Sequence, residues 1–239
     1  MSARRTAKYQ VRETIVTVIA DEAYHKVCLE AIHRARADLE QFIARDSYFQ
    51  RTLEPYACPP DAPGVVRRMC VATAKAGVGP MAAVAGTIAA CAVEAMAAAG
   101  ARYAIVDNGG DIAILNDEPV TIGIYAGESP IKGLALEVPF RDTVIGICTS
   151  SGTVGPSISF GNADAALIVS DDVPLADAAA TALGNRITDA AALATAFDFL
   201  RDIPEVTGAL GIIGDKMATY GKLPKIVRAN VDYEKITKG

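Results

Sequence analysis

The sequence predicts an α+β fold, built mainly from antiparallel strands with packed core helices. Short apolar runs separated by turns rich in Asn and Gly dominate residues 103–149, which is typical of consecutive strands joined by hairpins. Segments with helical periodicity lie before and after this region and do not alternate regularly with single strands. This grouping favours an α+β arrangement over the βαβ order of a parallel sheet.

The composition is that of a globular chain with a sizeable core. Hydrophobic residues make up 51% of the 239 residues, which excludes global disorder. The formal net charge of −5 leaves no overall basic field that could hold nucleic acid. The length predicts a single domain over residues 1–239, with two tightly joined lobes as the alternative and a peripheral tail from about 222 to 239.

Cysteine usage and hydropathy predict a cytoplasmic protein without a membrane partner. The five cysteines are widely spaced and form no CxxC pair, so free thiols in a reducing compartment are expected. The N-terminus lacks the apolar stretch of a signal peptide. Residues 77–100 contain a single charge, Glu94, but they are rich in Ala and Gly and read as a buried core helix.

The N-terminal part of the chain predicts strands followed by a long helix. β-Branched residues between 8 and 19 indicate one or two strands. Asp21 is suited to cap a helix that runs to about Arg45, with apolar residues at helical spacing. His25 and His33 lie two turns apart on this helix, and we expect both to be solvated.

The remaining elements follow from apolar runs and from the Gly and Pro residues between them. Pro80 is suited to the first position of a helix whose small residues pack flat against a sheet. Predicted helices cover 65–76, 81–99, 175–184 and 189–200. Predicted strands cover 103–106, 112–115, 120–125, 133–140, 143–149 and 165–169, the first five as one meander, with a closing hairpin of 208–213 and 217–220.

Three polar segments are candidates for a functional site. The first is the turn Asp107–Asp111, for which a plain hairpin is the alternative. The second is the loop Cys148–Ser157. The third is a helix on which Asp177 and Thr181 share one face and offer two hard oxygen ligands to a cation such as Mg²⁺. An isolated Asp on such a helix is otherwise a cap or a solvated group.

The Cys148–Ser157 loop combines one thiol with two glycines and several hydroxyls. Four hydroxyl residues precede Pro156, and they are Thr149, Ser150, Ser151 and Thr153. Hydroxyls and backbone N–H groups of such a loop can converge on an anion. The loop has neither the Lys nor the spacing of a P-loop, so a polar connection between strands stays open as the alternative.

Taken in order, the three segments resemble the motifs of the ApbE-like superfamily. Its flavin transferases carry an Asp-x-Gly-Gly turn, a later Thr/Ser-Gly loop and an Ala-Asp-x-x-x-Thr-Ala helix start. These correspond to Asp107–Gly110, Thr149–Gly152 and Ala176–Ala182. The chain is still more similar to an uncharacterised ApbE-like family of archaea and bacteria, over 78–86, 108–111, 148–155 and 159–161.

The resemblance implies a site for a phosphate-bearing small molecule, FAD or FMN or an adenine nucleotide, together with Mg²⁺. ApbE-like flavin transferases bind FAD and Mg²⁺, pass FMN to a hydroxyl of an acceptor protein and release AMP. By resemblance, Asp177 and Thr181 would be the metal ligands, and Mg²⁺ would clamp the pyrophosphate. The residues that would border the nucleotide are Asp107, Asn108, Gly109, Gly110, Asp111, Thr149, Ser150, Ser151, Gly152 and Thr153.

One departure from the flavin transferases leaves other functions open. Those enzymes carry a His-containing motif before the metal helix, whereas residues 155–164 of this chain contain no His. One alternative is sulfur or acyl transfer through Cys148, with its pKa depressed by N–H donors; a buried, inert thiol is the competing interpretation. Another is a non-catalytic binding module. Small-residue faces and the closing hairpin also suggest a homodimer.

Overall fold

The computed structural model describes residues 4–153 and 160–229, which form a helical layer, a large sheet and a small sheet. The helices are α1 (Glu22–Arg45), α2 (Tyr48–Arg51), α3 (Gly64–Ala76), α4 (Val84–Ala98) and α5 (Val173–Arg186), with 3₁₀ segments at Pro80–Ala83, Ala192–Ala194 and Asp198–Asp202. The strands are β1 (Arg4–Val11), β2 (Thr14–Asp21), β3 (Ala104–Asn108), β4 (Asp111–Asn116), β5 (Val120–Ile124), β6 (Leu134–Val138), β7 (Arg141–Ser150), β8 (Ala165–Ser170), β9 (Val206–Ile213), β10 (Lys216–Gly221) and β11 (Lys225–Arg228).

The large sheet is antiparallel throughout, which confirms the predicted α+β class. Its strand order is β1-β2-β3-β4-β7-β8-β9-β10. The pairing of Asp111 with Cys148 places the β3–β4 turn beside the end of β7. Strand β8 is buried along its whole length, because its alternate residues face the helices on one side and the small sheet on the other.

The predicted meander is wrong at β5 and β6. These strands leave the large sheet and form a separate one in the order β11-β6-β5, while β4 pairs directly with β7. The physical reason is that the large sheet is apolar on both faces. Ile114 and Ile145 point away from the helices, and Leu136 and Val138 of β6 cover them in one buried cluster.

The predicted tail from about 222 contains one further strand. Strand β11 pairs with β6 in register, from Lys225 opposite Glu137 to Arg228 opposite Leu134. The chain from 225 to 228 therefore completes the small sheet, because its backbone groups bond to the edge that β5 leaves open. Residues 230–239 of the predicted tail lie outside the described residues.

Helix α1 matches the prediction in its bounds but not in the environment of both histidines. His33 is exposed as expected. His25 is only 5% exposed, because its face of α1 packs on the N-terminal hairpin. Its Nδ1 lies 2.8 Å from the Tyr9 hydroxyl and its Nε2 lies 3.2 Å from the Ala20 carbonyl oxygen. The imidazole is a satisfied core group, so the expectation of a solvated His25 was wrong.

The predicted helix over 189–200 is replaced by two short 3₁₀ segments. Asp189 accepts a hydrogen bond from the Ala192 N–H at 2.8 Å and turns the chain early. The bent segment lets Leu193 and Phe197 both pack over Gly211 of β9. Tertiary packing on the sheet thus overrides the helical propensity of the alanines.

Residues Pro80–Ala98 are apolar and long enough to cross a membrane by length and composition alone. Within the described residues this is the one such segment, and about half of it is buried inside the protein. Its α-helical part, α4, packs against α1 and α5 and over β3 and β4. These contacts are those of the buried core helix that the sequence predicted.

Close approach between helix and sheet depends on glycine at one position of β7. A Cβ added to Gly146 would lie 2.8 Å from the Val173 Cα and 3.1 Å from the Ala176 Cβ of α5. Both contacts are with atoms that cannot rotate away. Gly146 therefore sets the distance at which α5 rests on the large sheet.

We predict that Gly146→Ala destabilises the protein by about 1–3 kcal/mol, because the added methyl must push α5 off β7. Urea denaturation followed by circular dichroism measures the change. Gly64→Ala in α3 is the matched control, since a Cβ there meets nothing within 4 Å. Equal stability of the two variants would contradict the proposed packing.

Candidate functional site

The first predicted site segment is a tight hairpin turn between β3 and β4. Gly109 and Gly110 both have positive φ, 69° and 99°, which only glycine adopts readily and which a type I′ turn requires. The Asp107 carboxylate accepts a hydrogen bond from the Gly110 N–H at 2.9 Å. The Asn108 amide donates to the Ala85 carbonyl oxygen at 3.0 Å and ties the turn to the start of α4.

A buried carboxylate joins the two core helices beside this turn. Asp177 of α5 is 7% exposed, and its Oδ2 accepts a hydrogen bond from the Gly86 N–H of α4 at 2.7 Å. A Cβ added to Gly86 would lie 2.7 Å from the Asp177 Cβ, so only glycine allows this approach. The first turn of α4 thus presents its unpaired N–H groups to an anion of the same chain.

Negative charge is concentrated where the turn meets α5. Burial raises the pKa of Asp177 to about 7, although hydrogen bonds from the Gly86 and Ala85 N–H groups act in the opposite direction. Burial, followed by the charges of Asp177 and Asp107, raises the pKa of Asp111 well above its usual range. Buried carboxylates that raise the pKa of a neighbouring carboxyl favour either a proton or a cation at the site.

The hydroxyl loop continues from the end of β7 beside the turn. The Thr149 N–H donates to the Gly110 carbonyl oxygen at 3.1 Å. The Ser151 Oγ accepts the Thr153 N–H at 3.1 Å, and the Thr153 hydroxyl donates to Asp164 at 3.3 Å. Residues 154–159, which continue the predicted loop and include Ser159 of the resemblance, lie outside the described residues.

One cavity of about 2280 Å³ brings the predicted site residues together. Those that line it are Asp107, Asn108, Gly109, Gly110, Asp111, Thr149, Ser150, Ser151, Thr153, Asp177 and Thr181. Gly152 does not line it, because its backbone packs on Gly161, where an added Cβ would lie against the carbonyl oxygen. Three segments far apart in sequence therefore share a single polar end of the cavity.

Sequence reasoning missed the apolar walls of this cavity. One wall is helical and includes Leu39, Ile43, Met81 and Val84, while the other comes from the outer face of the large sheet and from β5. Leu39 carried a helical-periodicity signal, but that signal reports burial and not exposure to a cavity. Asp164 also lines the cavity and was missed, because a lone Asp before a strand carries no motif.

The Cys148 thiol does not line the cavity. It is fully buried on the helical side of β7, and its Sγ lies 3.8 Å from the Val173 carbonyl oxygen. Burial, followed by the negative charges of Asp111 and Asp177, raises the pKa of Cys148 well above its usual range. The hypothesis of a depressed pKa at Cys148 is therefore wrong in direction, because burial and the two carboxylates outweigh the opposing hydrogen bond from the Ile112 N–H.

Other possible sites in the described residues are less developed. Within 4–153 and 160–229, no group of three His, Cys, Asp or Glu side chains is arranged to hold a metal ion. A separate cavity of about 430 Å³ lies between α3 and the start of α5. It is lined by Arg67 and by the Arg68–Glu94 ion pair, whose nitrogen–oxygen distances are 2.7 Å. It contains none of the predicted site residues.

Comparison with solved structures gives the class of fold. The flavin transferase ApbE of Vibrio cholerae superposes with a TM-score of 0.58 at 11% identity, covering 92% of this chain and 97% of that chain. The ApbE protein of Thermotoga maritima gives 0.54 at 12% identity, covering 95% and 97%. The protein therefore has the ApbE fold.

Comparison of sequences gives the family. A family model described as AbpE bacteria matches residues 1–200. A UPF0280 protein of Methanocella arvoryzae is 80% identical over 236 residues, covering 99% of this chain and 96% of the relative. A UPF0280 protein of Methanosarcina acetivorans is 59% identical over 232 residues, covering 96% and 92%. The chain belongs to this ApbE-like UPF0280 family, as the motifs predicted.

We predict that Cys148 resists alkylation by iodoacetamide at neutral pH, because its thiol is buried and held protonated. The partly exposed Cys58 is an internal control and should be labelled first. Peptide mapping by mass spectrometry after timed quenching measures both sites. Labelling of Cys148 as fast as Cys58 in the native protein would contradict this environment.

We also predict that the metal-free protein loses stability as the pH rises from about 4 to about 7. The native state holds the Asp177 proton up to about pH 7, whereas the unfolded chain releases it near 3.8. The native state therefore binds more protons in this window, so its advantage falls with rising pH. The raised pKa of Asp111 acts in the same direction.

Urea titrations in the presence of EDTA, at about pH 5 and about pH 8, measure this loss. Asp177→Asn should reduce the difference between the two pH values, because the amide does not titrate. Asp202→Asn on the exposed surface is the control and should leave the difference unchanged. An equal pH dependence in all three proteins would refute the assignment to Asp177.

Proposed function

We propose that the protein binds a flavin or adenine nucleotide together with Mg²⁺ and transfers a nucleotidyl group to a hydroxyl acceptor. The supporting observation is that the Asp107–Asp111 turn, the Thr149–Thr153 loop and the Asp177/Thr181 face line one cavity. The hydroxyls of Thr149 and Ser150 line the cavity and suit phosphate oxygens. The apolar helical wall beside them suits the ring of a nucleotide.

The donor chemistry at the polar end fits Mg²⁺. Asp177 and Thr181 supply two hard oxygen ligands, and Mg²⁺ commonly keeps several waters and binds through one or two carboxylates plus substrate phosphates. The raised pKa values of Asp111 and Asp177 indicate carboxylates that lack a compensating positive charge. Bound there, the ion would offset the negative charge of a pyrophosphate.

The proposed transfer is a displacement at phosphorus. The acceptor hydroxyl oxygen forms a bond to the FMN phosphorus of FAD, the bond from that phosphorus to the bridging oxygen breaks, and AMP leaves with the electron pair. The hydroxyl proton passes to a carboxylate that lines the cavity. Among the described lining residues there is no His, so the carboxylates are the available bases.

Because the described lining residues include no His that could act as the base, one competing function is a module that binds the nucleotide without catalysis. Thiol transfer through Cys148 is less favoured, because the thiol is buried away from the cavity and its pKa is raised. We also propose a cytoplasmic location, where five free cysteines would stay reduced. A single domain and a homodimer remain predictions from the sequence.

We predict that FAD with Mg²⁺ raises the melting temperature. A ligand at one hundred times its Kd adds about 2.7 kcal/mol, which corresponds to roughly 5–10 °C for a chain of this size. Asp177→Ala should lose the Mg²⁺-dependent part of the shift, whereas Asp202→Ala should retain it. Differential scanning fluorimetry with FAD, FMN, AMP and ADP measures the effect.

No shift with any of these four nucleotides would refute the proposal. A shift with FAD and Mg²⁺ but no release of AMP, assayed with hydroxyl-bearing acceptor proteins, would favour the binding module. Release of AMP coupled to covalent flavin on the acceptor would support group transfer.

A further inference from the structure

Strand β5 borders the cavity along its edge and not only along one face. Consecutive residues line the cavity, namely Val120, Thr121, Ile122 and Gly123. Alternate side chains of a strand point to opposite faces, and here Val120 and Ile122 are half-buried while Thr121 and Gly123 are exposed. A cavity that touches both sets runs along the strand edge.

The backbone groups on this edge have no strand partner. In the described part of the chain β5 pairs with β6 and ends its sheet, and no hydrogen bond from another element reaches Val120–Ile124. A free edge presents alternating N–H and C=O groups that another extended chain can pair with. Five residues give an edge of about 17 Å.

The opposite wall of the groove is the outer face of the N-terminal hairpin. Its lining residues alternate, with Thr6 and Lys8 on β1 standing opposite Ile19 and Thr17 on β2. These four residues share the outer face of the hairpin, and residues 12–15 line the cavity at the β1–β2 turn. The space between this face and the β5 edge continues to the polar end at Asp107 and Asn108.

The size of the cavity leaves room for a second occupant beside a nucleotide. Small-molecule pockets measure about 300–1,000 Å³, whereas this cavity measures about 2280 Å³. The outer face of the N-terminal hairpin lies across the groove and restricts access to the β5 edge. A single extended chain fits between this face and β5 more readily than the edge of a whole sheet from a second copy.

We propose that the free edge of β5 docks an extended segment of the acceptor polypeptide by β-strand addition. The segment pairs its backbone with β5, and its side chains alternate between the sheet face and solvent. One Ser or Thr of the docked segment then places its hydroxyl at the end of the groove beside Asp107. The proposal rests on the proposed function, because that hydroxyl is the group that would receive FMN.

Hydrogen exchange with a blocked peptide of alternating Thr and Val, carrying a Lys at each end, tests the docking mode. With millimolar peptide, the outward N–H groups of Val120–Ile124 should exchange about tenfold more slowly. Strand β10 is the control, because it is also an edge strand but does not line the cavity. Equal protection of β10, or none at β5, overturns the proposal.

A pair of proline variants separates the two edges of β5. Adjacent N–H groups point in opposite directions, so one of Thr121→Pro and Ile122→Pro removes a groove-facing donor and the other removes a bond to β6. The variant that keeps the wild-type melting temperature should lose protection by the peptide. Retention of protection in that variant overturns the pairing.

Two further measurements exclude the competing occupants. Protection of β5 that grows with protein concentration, without peptide, would assign the edge to a second copy and overturn the proposal. Faster exchange at β5 after truncation at Ala229 would assign it to the chain's own segment and overturn it equally. Stabilisation by a nucleotide is measured without peptide. Absence of that stabilisation would therefore show failure of the proposed function, whether or not the peptide docks on β5.

Discussion

The close approach of α4 and α5 over the large sheet is the constraint on which the site depends. Gly86 and Gly146 remove the two side chains that would hold α5 away from α4 and from β7. At this distance the Asp177 carboxylate meets the first N–H groups of α4 and lies near Asp111. Packing by small residues therefore decides where the negative charge of the cavity is placed.

Local patterns were enough to predict most elements and the polar end of the site. Helix α1 and the Asn108–Asp111 turn follow from periodicity and from glycine chemistry, both of which act over a few residues. That the turn and Asp177 belong to one site was predicted from the order of the motifs in the family and not from a physical signal in these residues. No local signal reports that β4 and α5 meet, because that contact depends on how the whole sheet is ordered.

What the sequence did not predict arises from long-range burial. Strands β5 and β6 have the same alternation whether they extend a meander or form a second sheet, so the pattern alone cannot choose. His25 lies on the face of α1 that the N-terminal hairpin covers, and the residues next to it in the sequence do not indicate this contact. The raised pKa of Cys148 also has a long-range cause, because its thiol lies on the buried side of β7 near two carboxylates.

The strand order of the large sheet has a consequence for how the chain folds. Strand β2 pairs with β3, yet all of α1 to α4 lies between them in sequence. Pairing β2 with β3 closes this long loop at a cost in conformational entropy, and such non-local pairings slow folding. The β3–β4 hairpin that borders the cavity is thus expected to dock on β2 late, after the N-terminal hairpin and the helices have condensed.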